Sequence, residues 1–193
     1  GPAAQDLDRL GIRAIIREGR APKDKLYGIR VAKDEVSFIP MAEYKGMKNY
    51  RLNPELRKKY GDRLSIASIG VAGEKKYKSA SVSFSDMLGD PSRNAARGGL
   101  GAVMGSKNLK AIVARGDKEV TVADEKCLSE ITKKLAPDIL KNTKRLADYG
   151  TSQVVTTLEE LGDLPVRNWK QGRWQEGAEK LSGPTMAKSI LNG

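Results

Sequence analysis

Apolar positions in the first ~115 residues fall in short runs and two-residue alternations. From Asp124 onward they recur at helical spacing between polar breaks. Residues 3–10 read as the last turns of a helix ending at Gly11, and Ile12 to Ile16 as a buried strand closed by Gly19. Lys25 to Val31 and Glu35 to Ile39 read as strands flanking a polar hairpin turn at Ala32, Lys33 and Asp34. Leu52 to Tyr60, opened by Asn53-Pro54, predicts a short helix, and Leu64 to Ile69 a strand. Between Tyr77 and Phe84, Ser79, Ser81 and Ser83 alternate with Ala80, Val82 and Phe84, the period of a half-buried strand. Leu109 to Ala114 is a further strand, ended by Arg115-Gly116-Asp117.

The second pattern predicts helices over Glu125 to Leu135, Asp138 to Tyr149, Thr151 to Leu161 and Thr185 to Leu191. The expected fold class is therefore α+β, a β-rich part followed by an α-helical segment. The change of pattern puts a boundary near residues 117–122, giving domains of 1–118 and 119–193. The sequence holds no internal repeat and no low-complexity segment.

Composition narrows the class. Hydrophobic residues at 39% and charged residues at 31% are those of a globular chain. No segment reaches the ~18 consecutive apolar residues of a membrane span. The first apolar run is broken by Arg13, so no secretory leader is expected, and the opening Gly1-Pro2 in place of Met reads as a cleaved tag or a start in mid-protein. Cys127 is the single cysteine, which leaves no internal disulfide, no multi-cysteine metal motif, and an expected reducing, cytoplasmic setting. Histidine is absent, so the commonest general base is missing. The balance of 35 Lys and Arg against 24 Asp and Glu, a net +11, predicts attraction to a polyanion: nucleic acid, an anionic membrane surface, a phosphorylated cofactor or an acidic protein. A basic surface serving solubility alone satisfies the same number.

The densest chemistry lies in Ser92 to Ile112, SRNAARGGLGAVMGSKNLKAI. Gly98, Gly99, Gly101 and Gly105 remove side chains where backbone approaches something closely, and Gly101 and Gly105 share a face one helical turn apart. Arg93 and Arg97 precede them. Backbone amides and two guanidinium groups suit a phosphate cradle; the alternative is glycines that only permit close helix–sheet packing. The Rossmann spacing fails at Met104, and the phosphate-loop order fails at Gly105-Ser106-Lys107.

From Ala96 to Gly116, ARGGLGAVMGSKNLKAIVARG resembles the signature of the aldehyde:ferredoxin oxidoreductases, which carry tungsten or sometimes molybdenum on a bis-pterin. Ile66 to Glu74 is similar to that family's IASIGPAGE, with Val71 for proline. Gly1-Pro2 with Leu10-Gly11-Ile12 is similar to its GPELKxAGxD region, and Tyr149-Gly150-Thr151 and Leu164 to Trp169 to its first helical segment. The resemblance covers essentially the whole chain. It implies a β-rich half of a pterin-binding domain followed by the start of a helical domain, a fragment of the parent enzyme.

By the same resemblance Arg93 touches the pterin phosphates, and the main-chain carbonyl of Asn94, where the family has alanine, ligates a magnesium ion bridging them. Ala95, Arg97, Gly98 and Gly99 line the same phosphate edge. Asp90-Pro91-Ser92 departs from the family's approach to this segment and leaves the loop path open. The family's [4Fe–4S] cysteines, in a CxxCxxxC run, and its catalytic glutamate and histidine lie outside these residues, so no catalytic residue is assigned. Cys127 matches none of the cluster ligands and reads as a small apolar residue on a helix face. The implied activity is oxidation of a small aldehyde, or a related two-electron step at the acid or thioester level. Electrons would pass to ferredoxin or an electron-transfer subunit, and a homodimer of the parent enzyme is compatible. The competing class is a non-catalytic basic module for nucleic acid or a partner protein. With 5% aromatic residues and no aromatic–basic alternation, stacking platforms for bases are lacking.

Overall fold

The computed structural model describes residues 2–22, 25–33 and 35–191. Two compact units result, Gly1–Thr121 and Val122–Gly193, and the expected α+β class holds.

In the first unit, Pro2–Arg9 forms helix α1, Tyr27–Ala32 strand β1 and Glu35–Pro40 strand β2. Helix α2 spans Asn49–Tyr60, β3 Ser65–Ser68, α3 Val71–Glu74, β4 Val82–Phe84, β5 Arg93–Ala95, α4 Leu100–Ser106 and β6 Leu109–Ala114. The strands build one six-stranded sheet in the order β2-β1-β6-β3-β4-β5. Strands β1 and β6 run parallel and the other neighbours antiparallel. The hairpin expected at 25–39 is present, with Tyr27 opposite Pro40 and Ala32 opposite Glu35; its turn residue Asp34 lies outside the described residues.

Strand β6 is central and buried on both faces, so its apolar positions serve two cores. Ala111 and Val113 join Met41, Leu52, Leu56 and Ile66 beneath α2. Ile112 and Ala114 join Ile29, Val31, Leu7 and Met104 on the face covered by α1 and α4. Leu52 and Leu56, one turn apart and fully buried, fasten α2 to the sheet; each such side chain contributes about 1.5–3 kcal/mol by burial. The helix ends at Gly61, whose left-handed φ of 115° lets its N–H donate to the Arg57 carbonyl. Helix α1 is tied down through Asp6, which accepts from the Ser65 hydroxyl and from the Gly116 N–H.

Four local expectations for this unit need correction. Ile12 to Ile16 is not a strand: Ile12 and Ile15 pack over the sheet face while Ile16 is exposed. An apolar run alone does not distinguish lying on a sheet from lying in it. The strand expected at Tyr77–Phe84 is cut to Val82–Phe84, because Lys76 turns left-handed and the Ala80 N–H closes a turn on the Tyr77 carbonyl. Helix α2 opens at Asn49, a turn earlier than Asn53-Pro54 suggests. Asn53 is no cap; it is buried and donates to the Gly89 carbonyl at 3.0 Å. Strands also do not dominate the first 115 residues, since α1, α2, α3 and α4 all fall there.

The second unit is helical. Helix α5, Glu125–Tyr149, runs unbroken through Pro137, where two helices were expected. The bond that proline removes belongs to an exposed helix, where water can take the freed carbonyl. Asp124 caps α5 by accepting from the Cys127 N–H at 2.8 Å. A 3₁₀ turn at Gly150–Val154 precedes α6, Val155–Leu161, replacing the single helix expected from Thr151. Helix α7, Gln175–Leu181, has no clear apolar period in the sequence because Gly177 and Ala178 form its buried contact. Helix α8, Gly183–Met186, opens where the Ser182 hydroxyl accepts from the Thr185 N–H, and helical turns continue through Ala187–Leu191. Among the described residues no helix is long and apolar enough to cross a membrane.

Candidate functional site

The site begins with the alternation on β4. Ser83 faces Asn94 across the β4–β5 pair, with Phe84 opposite Arg93 and Val82 opposite Ala95. The Ser83 hydroxyl donates to Asn94 Oδ1 at 2.7 Å, and Ser81 stands 3.5 Å from the same oxygen. Ser83 in turn accepts from Asn49 Nδ2 at 2.8 Å. Strand β5 is the last in the sheet, so one flank of its backbone has no strand partner among the described residues.

The path into β5 is fixed by Asp86. Its carboxylate accepts from the Ser92 hydroxyl at 2.6 Å and from the N–H groups of Leu88 and Asp90 at 2.9 and 3.0 Å. The Ser92 hydroxyl, followed by these amide donors, holds the carboxyl below the ordinary aspartate range. This is how Asp90-Pro91-Ser92 reaches the site. Gly89, with φ 93°, leaves room for Arg57, which donates to the carbonyls of Leu88 and Asp62.

After β5 the chain turns on two consecutive left-handed glycines, Gly98 at φ 73° and Gly99 at φ 66°. A Cβ on Gly98 would meet nothing within 4 Å, whereas one on Gly99 would lie 2.4 Å from the Lys78 carbonyl oxygen. Gly101 and Gly105 behave differently from Gly98. Added Cβ atoms there would sit 2.4 Å from the Ser81 oxygen and 1.8 Å from the Gly73 oxygen. These two are packing glycines that let α4 lie against α3 and β4. The Gly101 N–H is also engaged by the Ala80 carbonyl at 2.9 Å.

Arg93, Asn94 and Ala95 together line a cleft of about 800 Å³, with Phe84, Asp86 and the first turn of α1 on its other walls. Arg97, Gly98 and Gly99 are not on that wall but follow directly in the turn to α4. Arg93 and Arg97 are exposed, and among the described residues neither is paired with a carboxylate. The donor set, two free guanidinium groups beside an open strand edge and a glycine turn with space above Gly98, fits a phosphorylated ligand. No cluster of three or more His, Cys, Asp or Glu able to hold a metal occurs among the described residues. Sequence reasoning missed Asn49; the serine alternation on β4 was the signal for Ser81 and Ser83, but it read only as a strand period.

Comparison with known proteins follows the same segments. The family model for the aldehyde ferredoxin oxidoreductase N-terminal domain matches residues 1–116, and that for domains 2 and 3 of the same family matches residues 126–193. A tungsten-containing aldehyde ferredoxin oxidoreductase of Pyrococcus abyssi is 36% identical over 190 residues, covering 96% of this chain and 30% of the relative. The enzyme of that name from Pyrococcus furiosus is 36% identical over 191 residues with the same coverage, and the WOR-like subunit of an aliphatic sulfonate oxidoreductase from that organism is 26% identical over 181 residues, covering 86% of this chain and 28% of the relative. The chain thus spans about 30% of the length of these tungsten-containing relatives. Among solved structures, the active site complex BamBC of benzoyl coenzyme A reductase with 1,5-dienoyl-CoA aligns with a TM-score of 0.56 at 26% identity, over 82% of this chain and 21% of that one.

Proposed function

Because the chain belongs to the aldehyde ferredoxin oxidoreductase family, we propose that it supplies the phosphate-anchoring edge for a tungsten (or molybdenum) bis-pterin in an enzyme that oxidises aldehydes to carboxylic acids. The observation that carries this reading is the placement of Arg93, Asn94 and Ala95 on an edge strand lining the 800 Å³ cleft, with the Gly98–Gly99 turn next in the chain. When bound, the metal and pterins would supply the two-electron chemistry, and a [4Fe–4S] cluster held by residues other than these would supply the link to ferredoxin or an electron-transfer subunit.

The chain's own part is binding and orientation. Arg93 and Arg97 present bidentate donors to pterin phosphates. Asn94 would offer its main-chain carbonyl to a magnesium ion held beside the phosphates, an oxygen ligand of the kind that ion takes. Its side-chain oxygen is occupied by Ser83. Gly98 lets the ligand approach the backbone without meeting a side chain. No residue of this chain acts on the substrate in this account. The substrate is a small aldehyde; the likeness to a sulfonate oxidoreductase subunit and to the active site complex of benzoyl coenzyme A reductase marks the breadth of chemistry such a scaffold serves.

The test is Arg93→Ala in the protein expressed from its own gene, with tungsten measured by mass spectrometry and pterin by the fluorescence of its oxidised form. Both should fall about tenfold, the loss expected for one charge-assisted contact of ~1.5 kcal/mol. Unchanged content in a folded variant overturns the proposal.

A further inference from the structure

We infer that Ser83 and Asn49 are positioning residues for the Asn94 carbonyl, a side-chain relay running from the half-buried Asn49 through the buried Ser83 to the exposed strand edge, which fixes the direction in which that edge presents its oxygen. The inference rests on the cofactor-anchoring reading above. A three-residue strand at the margin of a sheet is held on one side only, so its pleat is free to rock unless something other than the ladder fixes it. Here a side-chain chain does so. Asn49 Nδ2 donates to Ser83 Oγ at 2.8 Å, and Ser83 Oγ donates to Asn94 Oδ1 at 2.7 Å. A hydroxyl has one proton to give and lone pairs to receive, so both bonds run in one direction through Ser83 without conflict.

The middle of the relay carries a cost that packing alone does not explain. Ser83 is 6% exposed, and Asn49 Oδ1 is buried with no partner among the described residues. An unpaired buried acceptor is a standing penalty, and the orientation that leaves it unpaired is the one that gives Nδ2 to Ser83. The relay spans α2, β4 and β5, joining the outermost strand to a helix packed on the core. The Asn94 side chain is folded back and tied, leaving the main-chain carbonyl available.

The experiment is a coupling measurement on the protein expressed from its own gene. Ser83→Ala is compared in the native background and in Asn94→Ala, which removes the side-chain oxygen that Ser83 holds. Magnesium, tungsten and pterin content are read together with the unfolding midpoint. Ser83→Ala should lower magnesium and pterin retention about tenfold in the native background, the usual scale for a group that orients a metal ligand. In the Asn94→Ala background it should have no further effect, and Asn49→Ala should follow the same pattern.

Equal losses in both backgrounds would assign Ser83 a merely structural role and overturn the inference. No loss in either background would overturn it as well. If Arg93→Ala loses cofactor while Ser83→Ala does not, the relay fails and the anchoring reading stands; if the native protein carries no pterin, both fall.

Discussion

The ammonium of Lys110 is fully buried and paired with the Glu74 carboxylate, joining the start of β6 to the end of α3 across 36 residues of sequence. Lys110 also donates to the Met47 carbonyl at 2.8 Å, and Glu74 accepts from the Gly46 N–H. Both belong to the segments that carry the family resemblance, Ile66 to Glu74 and Ala96 to Gly116. Part of that signature therefore maintains the fold rather than contacting a ligand.

Glu74→Gln leaves a buried ammonium without its counter-charge and should destabilise the first unit by about 3 kcal/mol or more. Lys110→Met should cost less, since Glu74 is 13% exposed and keeps the Gly46 N–H. Urea unfolding midpoints check this, and a Glu74→Gln loss below that of Lys110→Met would contradict it.

The glycines divide by what surrounds them. Gly105→Ala would put a methyl against the Gly73 carbonyl and should lose at least ~3 kcal/mol or fail to fold. Gly98→Ala meets open space and pays only for its left-handed φ, about 1–2 kcal/mol. Thermal melts of the two variants should separate them clearly; equal losses would contradict this division.

The loop into the site should depend on acid. Asp86 has a carboxyl held below its unfolded value by the Ser92 hydroxyl and nearby amides. The ionised form is the one the native loop favours, so its stabilisation is complete above the unfolded value of ~3.9 and fades as pH falls through the lower folded value. Limited proteolysis at 86–92 should therefore rise as pH drops below ~4, and Asp86→Asn should be cut readily at neutral pH with little further dependence on acid. A native loop equally resistant across that range would contradict the assignment.

Much of this was legible in the sequence where one physical requirement dominated. Leu109 to Ala114 carries apolar residues on both faces because β6 is central, and the hairpin at 25–39 has alternation and a polar turn. Where two requirements compete, the pattern misleads. Ile12 to Ile16 is apolar enough for a strand, yet Ile12 and Ile15 only cover one. Pro137 reads as a break, yet α5 passes through it. At the site, Arg93 and the glycines stand out by residue type. The spacing of Gly101 and Gly105 did not separate packing from ligand contact; the carbonyls facing them do. Asn49 was invisible, because its role depends on a contact 34 residues away with Ser83.

The most direct test of the central claim is the metal and pterin content of the protein expressed from its own gene in cells supplied with tungstate and molybdate. The account predicts tungsten or molybdenum together with pterin, in the proportion a bis-pterin requires, both lowered about tenfold by Arg93→Ala. A folded protein carrying neither metal nor pterin would contradict it.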